Sequence, residues 1–150
     1  MLQLTVQDIL TKSIDELEAL DPNCLGYCIY LIRDEEVVLY IGRANDPIER
    51  LMQHFGRASR SSGAAIGRFY QEHKDFSEGW TIDIYTLEDC EQVLNLDLQR
   101  GRSPHAERLF IQHFRPCLND TNNPNPSKLP ERYQRRKLNL DNNAVDVLNF

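Results

Sequence analysis

Cys28-Ile29-Tyr30-Leu31-Ile32-Arg33-Asp34-Glu35-Glu36-Val37-Val38-Leu39-Tyr40-Ile41-Gly42 is the stretch on which the reading of this chain turns. Two runs rich in Ile, Val, Leu and Tyr, Tyr27 to Arg33 and Val37 to Gly42, flank the polar Asp34-Glu35-Glu36. Short apolar, β-prone runs around a polar break predict an antiparallel hairpin. With a three-residue loop at Asp34–Glu36, Arg33 would pair with Val37 and Tyr30 would lie opposite Tyr40. Opposed residues share one face of a sheet, so both phenols would point the same way. A slip of one residue would send them to opposite faces.

Outward from the hairpin, Asp46-Pro47-Ile48-Glu49 is a strong helix start, with a capping Asp and proline in the first helical position. A helix from there to about Phe55 sets Arg50 and His54 four residues apart on one face. Arg57 to Gly63 reads as a Ser- and Gly-rich loop, and Ala64 to Lys74 as a helix. Trp80 to Leu87 alternates as a third strand, Glu88 to Leu98 suits a helix, and Ser103-Pro104 opens another that ends near Phe114. Before the hairpin, Val6, Ile9, Leu10, Ile14, Leu17 and Leu20 recur at three- and four-residue steps, which predicts one amphipathic helix over Thr5 to Leu20. Asn119 to Pro130 lacks periodicity, and the tail beyond it holds a basic turn, Arg132 to Lys137, and an apolar end at Val145, Val147, Leu148 and Phe150. The order implies an α/β (α+β) domain: a small mixed or antiparallel three-stranded sheet flanked by helices, with an N-terminal helical extension.

A chain of 150 residues suits one domain. No run approaches the roughly 18 apolar residues of a membrane span. The start MLQLTVQDIL has neither a basic region nor a long apolar stretch, so a cytoplasmic protein without a secretory signal is expected. Cys24, Cys28, Cys90 and Cys117 are too scattered for a disulfide scaffold. Cys24 and Cys28 could join His113 and Cys117 around zinc, but the three-residue gaps form no recognisable knuckle, and reduced, buried thiols are the better expectation. The net charge of −6 argues against a nucleic-acid partner, yet its distribution does not. Residues 41–74 carry six basic against three acidic side chains, and residues 100–137 carry nine against three. Arg43, Arg50, Arg57, Arg60 and the stretch from Arg100 to Lys137 are therefore the expected phosphate contacts.

Hydrolysis of a phosphodiester needs a deprotonated water, a counter-charge for the phosphate and help for the departing oxygen. The phenols of Tyr30 and Tyr40, the Arg50 guanidinium and the His54 imidazole are suitable groups within about 25 residues of chain. Taken singly, each has an ordinary explanation as a strand aromatic or a solvated helix face.

Taken in order, they resemble the GIY-YIG nuclease family. Cys28-Ile29-Tyr30 and Tyr40-Ile41-Gly42 look like its two name-giving strands, followed by Arg43-Ala44, Asp46, Arg50 and His54-Phe55. Glu107, then Pro116-Cys117-Leu118-Asn119, resemble its metal-ligating Glu and terminal Asn. One departure stands out: Cys28 occupies the place of the first glycine, and Gly26 is out of register.

The resemblance implies a nuclease domain over residues 25–120, an N-terminal helical extension over 1–24 and a C-terminal loop and tail over 121–150. It implies an endonuclease that hydrolyses nucleic acid, DNA in preference to RNA, leaving 5′-phosphate and 3′-hydroxyl ends. One Mg²⁺ or Mn²⁺ would be held by Glu107, since hard ions prefer oxygen ligands. Tyr30 is the leading candidate to activate the attacking water and Tyr40 to orient it. Arg50 would stabilise the developing phosphorane, and His54 would assist proton transfer. Gly42, Arg43 and Asn119 complete the expected substrate-binding side. His73, His105 and His113 have no place in the pattern. The competing reading is a catalytically inactive module on the same fold that binds nucleic acid or protein. No membrane partner is expected, and the oligomeric state stays open, a homodimer being one option.

Overall fold

The computed structural model describes residues 1–35, 37–58, 63–95 and 103–134. Its frame is one four-stranded antiparallel sheet in the order β1-β4-β2-β3, built from β1 (Leu2–Thr5), β2 (Cys28–Asp34), β3 (Val37–Ala44) and β4 (Trp80–Thr86). Helices α1 (Val6–Thr11), α2 (Ile14–Leu20), α3 (Pro47–His54) and α4 (Ala65–Glu72) belong to the chain before and after the hairpin. Helices α5 (Leu87–Leu94) and α6 (Ser103–Phe114) follow β4.

Two expectations are corrected. The sheet has four strands rather than three, because Leu2–Thr5 pairs with β4, Leu4 opposite Ile82. Four residues are too few for alternation to stand out in the sequence. The helix expected over Thr5 to Leu20 is two helices. Thr5 caps the first, but Ser13 caps a second, its side chain accepting from the Glu16 amide while the Glu16 carboxylate accepts from the Ser13 amide. This reciprocal pair stabilises a new helix start, even though the apolar spacing runs on through it.

Strand β2 lies inside the sheet and is buried on both faces, which explains its nearly unbroken apolar run. Cys28, Tyr30 and Ile32 face a core shared with Ile9, Leu17, Leu51 and Trp80. Ile29 and Leu31 face a second core with Tyr85, Phe110 and Ile111. The hairpin register is also corrected. Asp34 pairs with Val37, leaving a two-residue reversal in which Glu35 has φ 55°. Continued unchanged, that register would set Tyr30 opposite Ile41 and send the two tyrosines to opposite faces. A bulge at Leu39 inserts one residue between Arg33↔Val38 and Ile32↔Tyr40. Tyr30 therefore faces Gly42, Tyr40 faces Ile32, and both phenols return to one side.

The segment after α6 is tied down by polar contacts. The Cys117 and Leu118 amides donate to the Val38 and Leu39 carbonyls on the open edge of β3. Asn123 donates to the Pro116 and Asn119 carbonyls. Residues 131–134 form a helical turn that buries Tyr133 against Phe69, His73 and Phe76. The Tyr133 hydroxyl donates to the buried Asp34 carboxylate and accepts from Trp80 Nε1, and Arg132 pairs with the same carboxylate. Arg135, Arg136, Lys137 and the apolar end of the tail lie outside the described residues, as do positions 96–98 of the expected Glu88–Leu98 helix. Among the described residues no helix is long and apolar enough to cross a membrane.

Candidate active site

The hairpin and α3 build the centre of the site. Tyr30 is 1% exposed and lies over Gly42, where a Cβ would come within 2.2 Å of the phenolic oxygen. A side chain at 42 and the Tyr30 ring cannot both be accommodated. Gly42 thus makes the cavity that Tyr30 fills, whatever else it touches. From α3, His54 reaches the same phenol, with Tyr30 Oη 2.6 Å from Nε2. Tyr40 completes the cluster, its ring centroid 6.3 Å from that of Tyr30 and 5.8 Å from His54.

Burial sets the protonation states. It lowers the His54 pKa to about 3, with the Arg50 guanidinium adding to the effect, so the imidazole is neutral at pH 7. Burial pushes the Tyr30 phenol well above its ordinary value, reinforced by Tyr40 and opposed by Arg50. Tyr40 is raised for the same first reason, with Arg50 opposing and Glu107 reinforcing. The two tyrosines differ in access. Tyr30 is sealed behind Gly42 and His54, whereas Tyr40 lines an open cavity of about 280 Å³ together with Glu107 and Asn119.

Glu107 comes from the first half of α6, which packs near β3. Its carboxyl is half-buried, and burial raises its pKa, against the pull of Arg43. Arg43 Nε stands 3.8 Å from Glu107 Oε2 and is otherwise half-exposed. A divalent cation would fit this place. The cavity offers oxygen donors from Glu107, Tyr40 and the adjacent Asp120, and the raised Glu107 carboxyl would gain from a cation. Among the described residues no set of three or more His, Cys, Asp or Glu side chains could hold a metal, so most of such an ion's ligands would be water and phosphate. The zinc set considered for Cys24, Cys28, His113 and Cys117 is absent by the same observation. Burial lifts the Cys24 thiol to about 12 and the Cys28 thiol to about 11.

Asn119 holds backbone beside the site. Its Oδ1 accepts from the Ile41 amide at 2.9 Å and its Nδ2 donates to the Ile41 carbonyl at 2.8 Å. Both ends of the amide are therefore spent on the strand that carries Tyr40. Cys28, in place of the motif glycine, is fully buried, with Ala44 and Thr86 as its cross-strand partners. These modest neighbours leave room for a thiol.

Tyr30, Tyr40, Gly42, Arg43, Arg50, His54, Glu107 and Asn119 thus gather around the β2–β3 hairpin. The family model described as the GIY-YIG catalytic domain matches residues 26–122. The chain belongs to the GIY-YIG family. Neither a curated protein nor a solved structure matches it significantly. Membership brings nuclease activity on nucleic acid at the level of the family.

The GIY-YIG frame also sorts the basic residues. Arg43, Asp46, Glu49, Arg50 and Gln53 line a second hollow beside the site, where Arg50 Nη1 donates to Gln53 Oε1 at 3.0 Å. Arg57, expected at phosphate, instead donates to the Ile9 and Lys12 carbonyls and closes the end of α1. Arg115 donates to the Asn125 carbonyl. Arg60, Arg100 and Arg102 lie outside the described residues. Sequence reasoning missed Arg68 and Gln71, which share a third cavity with His54. Nothing in the sequence marks them, since neither belongs to a motif and both are exposed residues of an amphipathic helix.

Proposed function

We propose that the protein is a divalent-metal-dependent endonuclease that hydrolyses DNA to 5′-phosphate and 3′-hydroxyl ends. The observation that carries this reading is the shared cavity of Tyr40, Glu107 and Asn119, backed by the 2.6 Å contact of Tyr30 with His54. A Mg²⁺ or Mn²⁺ ion held by Glu107 would supply Lewis-acid charge at the scissile phosphate. Arg50 sits on the same side and offsets the charge that develops on the phosphorane.

The access difference supports Tyr40, rather than the sealed Tyr30, as the phenol that meets the attacking water. Tyr40 takes the water proton when ionised, and Arg50 favours that ionised form. Tyr30 and neutral His54 hold the Tyr40 ring and the strand behind it. Asn119 fixes the Ile41 peptide and with it the direction of the Tyr40 side chain. Arg43 is the adjoining phosphate contact, released from Glu107 when substrate arrives. A cytoplasmic location belongs to the same proposal, since the four cysteines are free thiols, as expected in a reducing compartment.

The deciding experiment incubates the protein and its Glu107→Gln variant with labelled duplex, branched and single-stranded DNA and RNA, with Mg²⁺, Mn²⁺ or EDTA. Cleavage by the wild type, lost in the variant and in EDTA, is the expected result. Equal cleavage by both would remove Glu107 from the chemistry. Binding without cleavage on any substrate would leave an inert module.

A further inference from the structure

His54 also walls a cavity of about 270 Å³, together with Gln53, Gly63, Gly67, Arg68 and Gln71. Three observations bear on what enters it. Helix α4 begins here, and its N-cap residue Ala64 has no side chain that could cap it, whereas Thr5, Ser13, Asp46 and Thr86 cap α1, α2, α3 and α5. In its first turn the Gly67 amide donates to the Ala64 carbonyl, and the amides of Ala65 and Ile66, which precede any i−4 carbonyl of the helix, together with the helix dipole favour an anion. Arg68 stands on the first turns of α4 and makes no ion pair among the described residues. His54 is 1% exposed, yet its Nδ1 has no hydrogen-bond partner while Nε2 meets Tyr30. A buried ring nitrogen left unpaired is costly. If the Tyr30 hydroxyl donates to Nε2, the imidazole proton sits on Nδ1 and is a donor in search of an acceptor.

We infer that this cavity is a phosphate subsite, which holds a backbone phosphate of the nucleic-acid chain next to the one cleaved. The cavity adjoins the catalytic one through Ala64 and the Arg43–Arg50 hollow through Gln53, so one strand can run across all three. Gly63 and Gly67 add no side chain of their own to this wall. The subsite rests on the nuclease reading for its substrate, but it acts in binding alone. Its occupancy orients the strand so that the neighbouring phosphate meets Tyr40 and Arg50.

The test measures binding of a fluorescent DNA duplex in EDTA against salt, for the wild type and for Arg68→Gln, with Lys12→Gln, whose ammonium pairs with Asp8 at the end of α1, as a control. Each phosphate neutralised on duplex DNA contributes a log–log slope of about −0.9. Arg68→Gln should make the slope shallower by about that amount, and Lys12→Gln should not. A ¹⁵N spectrum separates the sources of phosphate: duplex should shift the Ala65 and Ile66 amides at far lower concentration than inorganic phosphate does. Equal slopes for wild type and Arg68→Gln, or no duplex binding at all, overturn the subsite. Amides that respond to inorganic phosphate alone also overturn it, and leave a free-anion site. Cleavage by a wild type whose slope Arg68→Gln does not alter refutes the subsite and keeps the nuclease. A slope change without any cleavage does the reverse.

Discussion

Tyr30 and Gly42 face each other across the β2–β3 hairpin, and the phenol of the first occupies the space that any side chain of the second would need. The last glycine of the motif is thereby explained by packing. Gly42→Ala should expel the Tyr30 ring, break its contact with His54 and cost on the order of 1–3 kcal/mol, the usual range for overpacking a core. Urea denaturation checks this. In a Tyr30→Ala background the same glycine change should be nearly neutral, and equal costs in both backgrounds would show that the two residues are not coupled.

Arg50 is aimed at charge that exists only during reaction. Arg50→Ala should keep the fold, because the half-buried Arg50 belongs to neither apolar core, and should lower kcat by about 10²–10³. Circular dichroism and single-turnover cleavage read the two effects separately. Normal cleavage by a folded variant would place the transition-state charge elsewhere.

Because burial raises the Tyr40 phenol and only its ionised form accepts a proton, cleavage should speed up with pH. Below the pKa the ionised fraction grows about tenfold per pH unit, so log kcat against pH should climb with a slope near one between pH 6.5 and 8.5. Tyr40→Phe should be inactive at every pH, while Tyr30→Phe should retain the slope at reduced rate. The opposite pattern would return the water-activating role to Tyr30.

His54 makes stability depend on acid. Its folded pKa of about 3 lies below the ordinary value of 6.5, so the unfolded chain binds the extra proton between those limits. Stability from the neutral imidazole is complete above pH 6.5 and declines as pH falls toward 3. At pH 5 the loss amounts to about 2 kcal/mol. His54→Gln should flatten this part of the stability–pH curve, and an unchanged slope would mean that other groups govern it.

Arg57 tests whether charge or packing decides a residue's use. Its guanidinium holds the Ile9 and Lys12 carbonyls. Arg57→Ala should therefore lower the melting temperature through loss of charge-assisted hydrogen bonds, roughly 1.5–3 kcal/mol each. The salt slope of DNA binding should stay as it is. A change of slope without loss of stability would restore the phosphate role.

The sequence by itself determined the local pieces. The hairpin runs, the Asp46-Pro47 start of α3, the Arg50–His54 spacing and the order of the GIY-YIG motifs depend on near neighbours and on residue chemistry, so they could be read before any fold was known. Tertiary structure decided what depends on distant chain. β1 exists because Leu2–Thr5 meets β4 some eighty residues later, and so short a strand carries little periodic signal. The Leu39 bulge, which returns both tyrosines to one face, is set by packing on two sides of the sheet. Asn119 became a clamp on Ile41 because the chain after α6 runs along the edge of β3. Charge counting could not foresee that Arg57 and Arg115 would be taken up by carbonyls while Arg68 lined a cavity, because a side chain's partners are chosen by the fold around it.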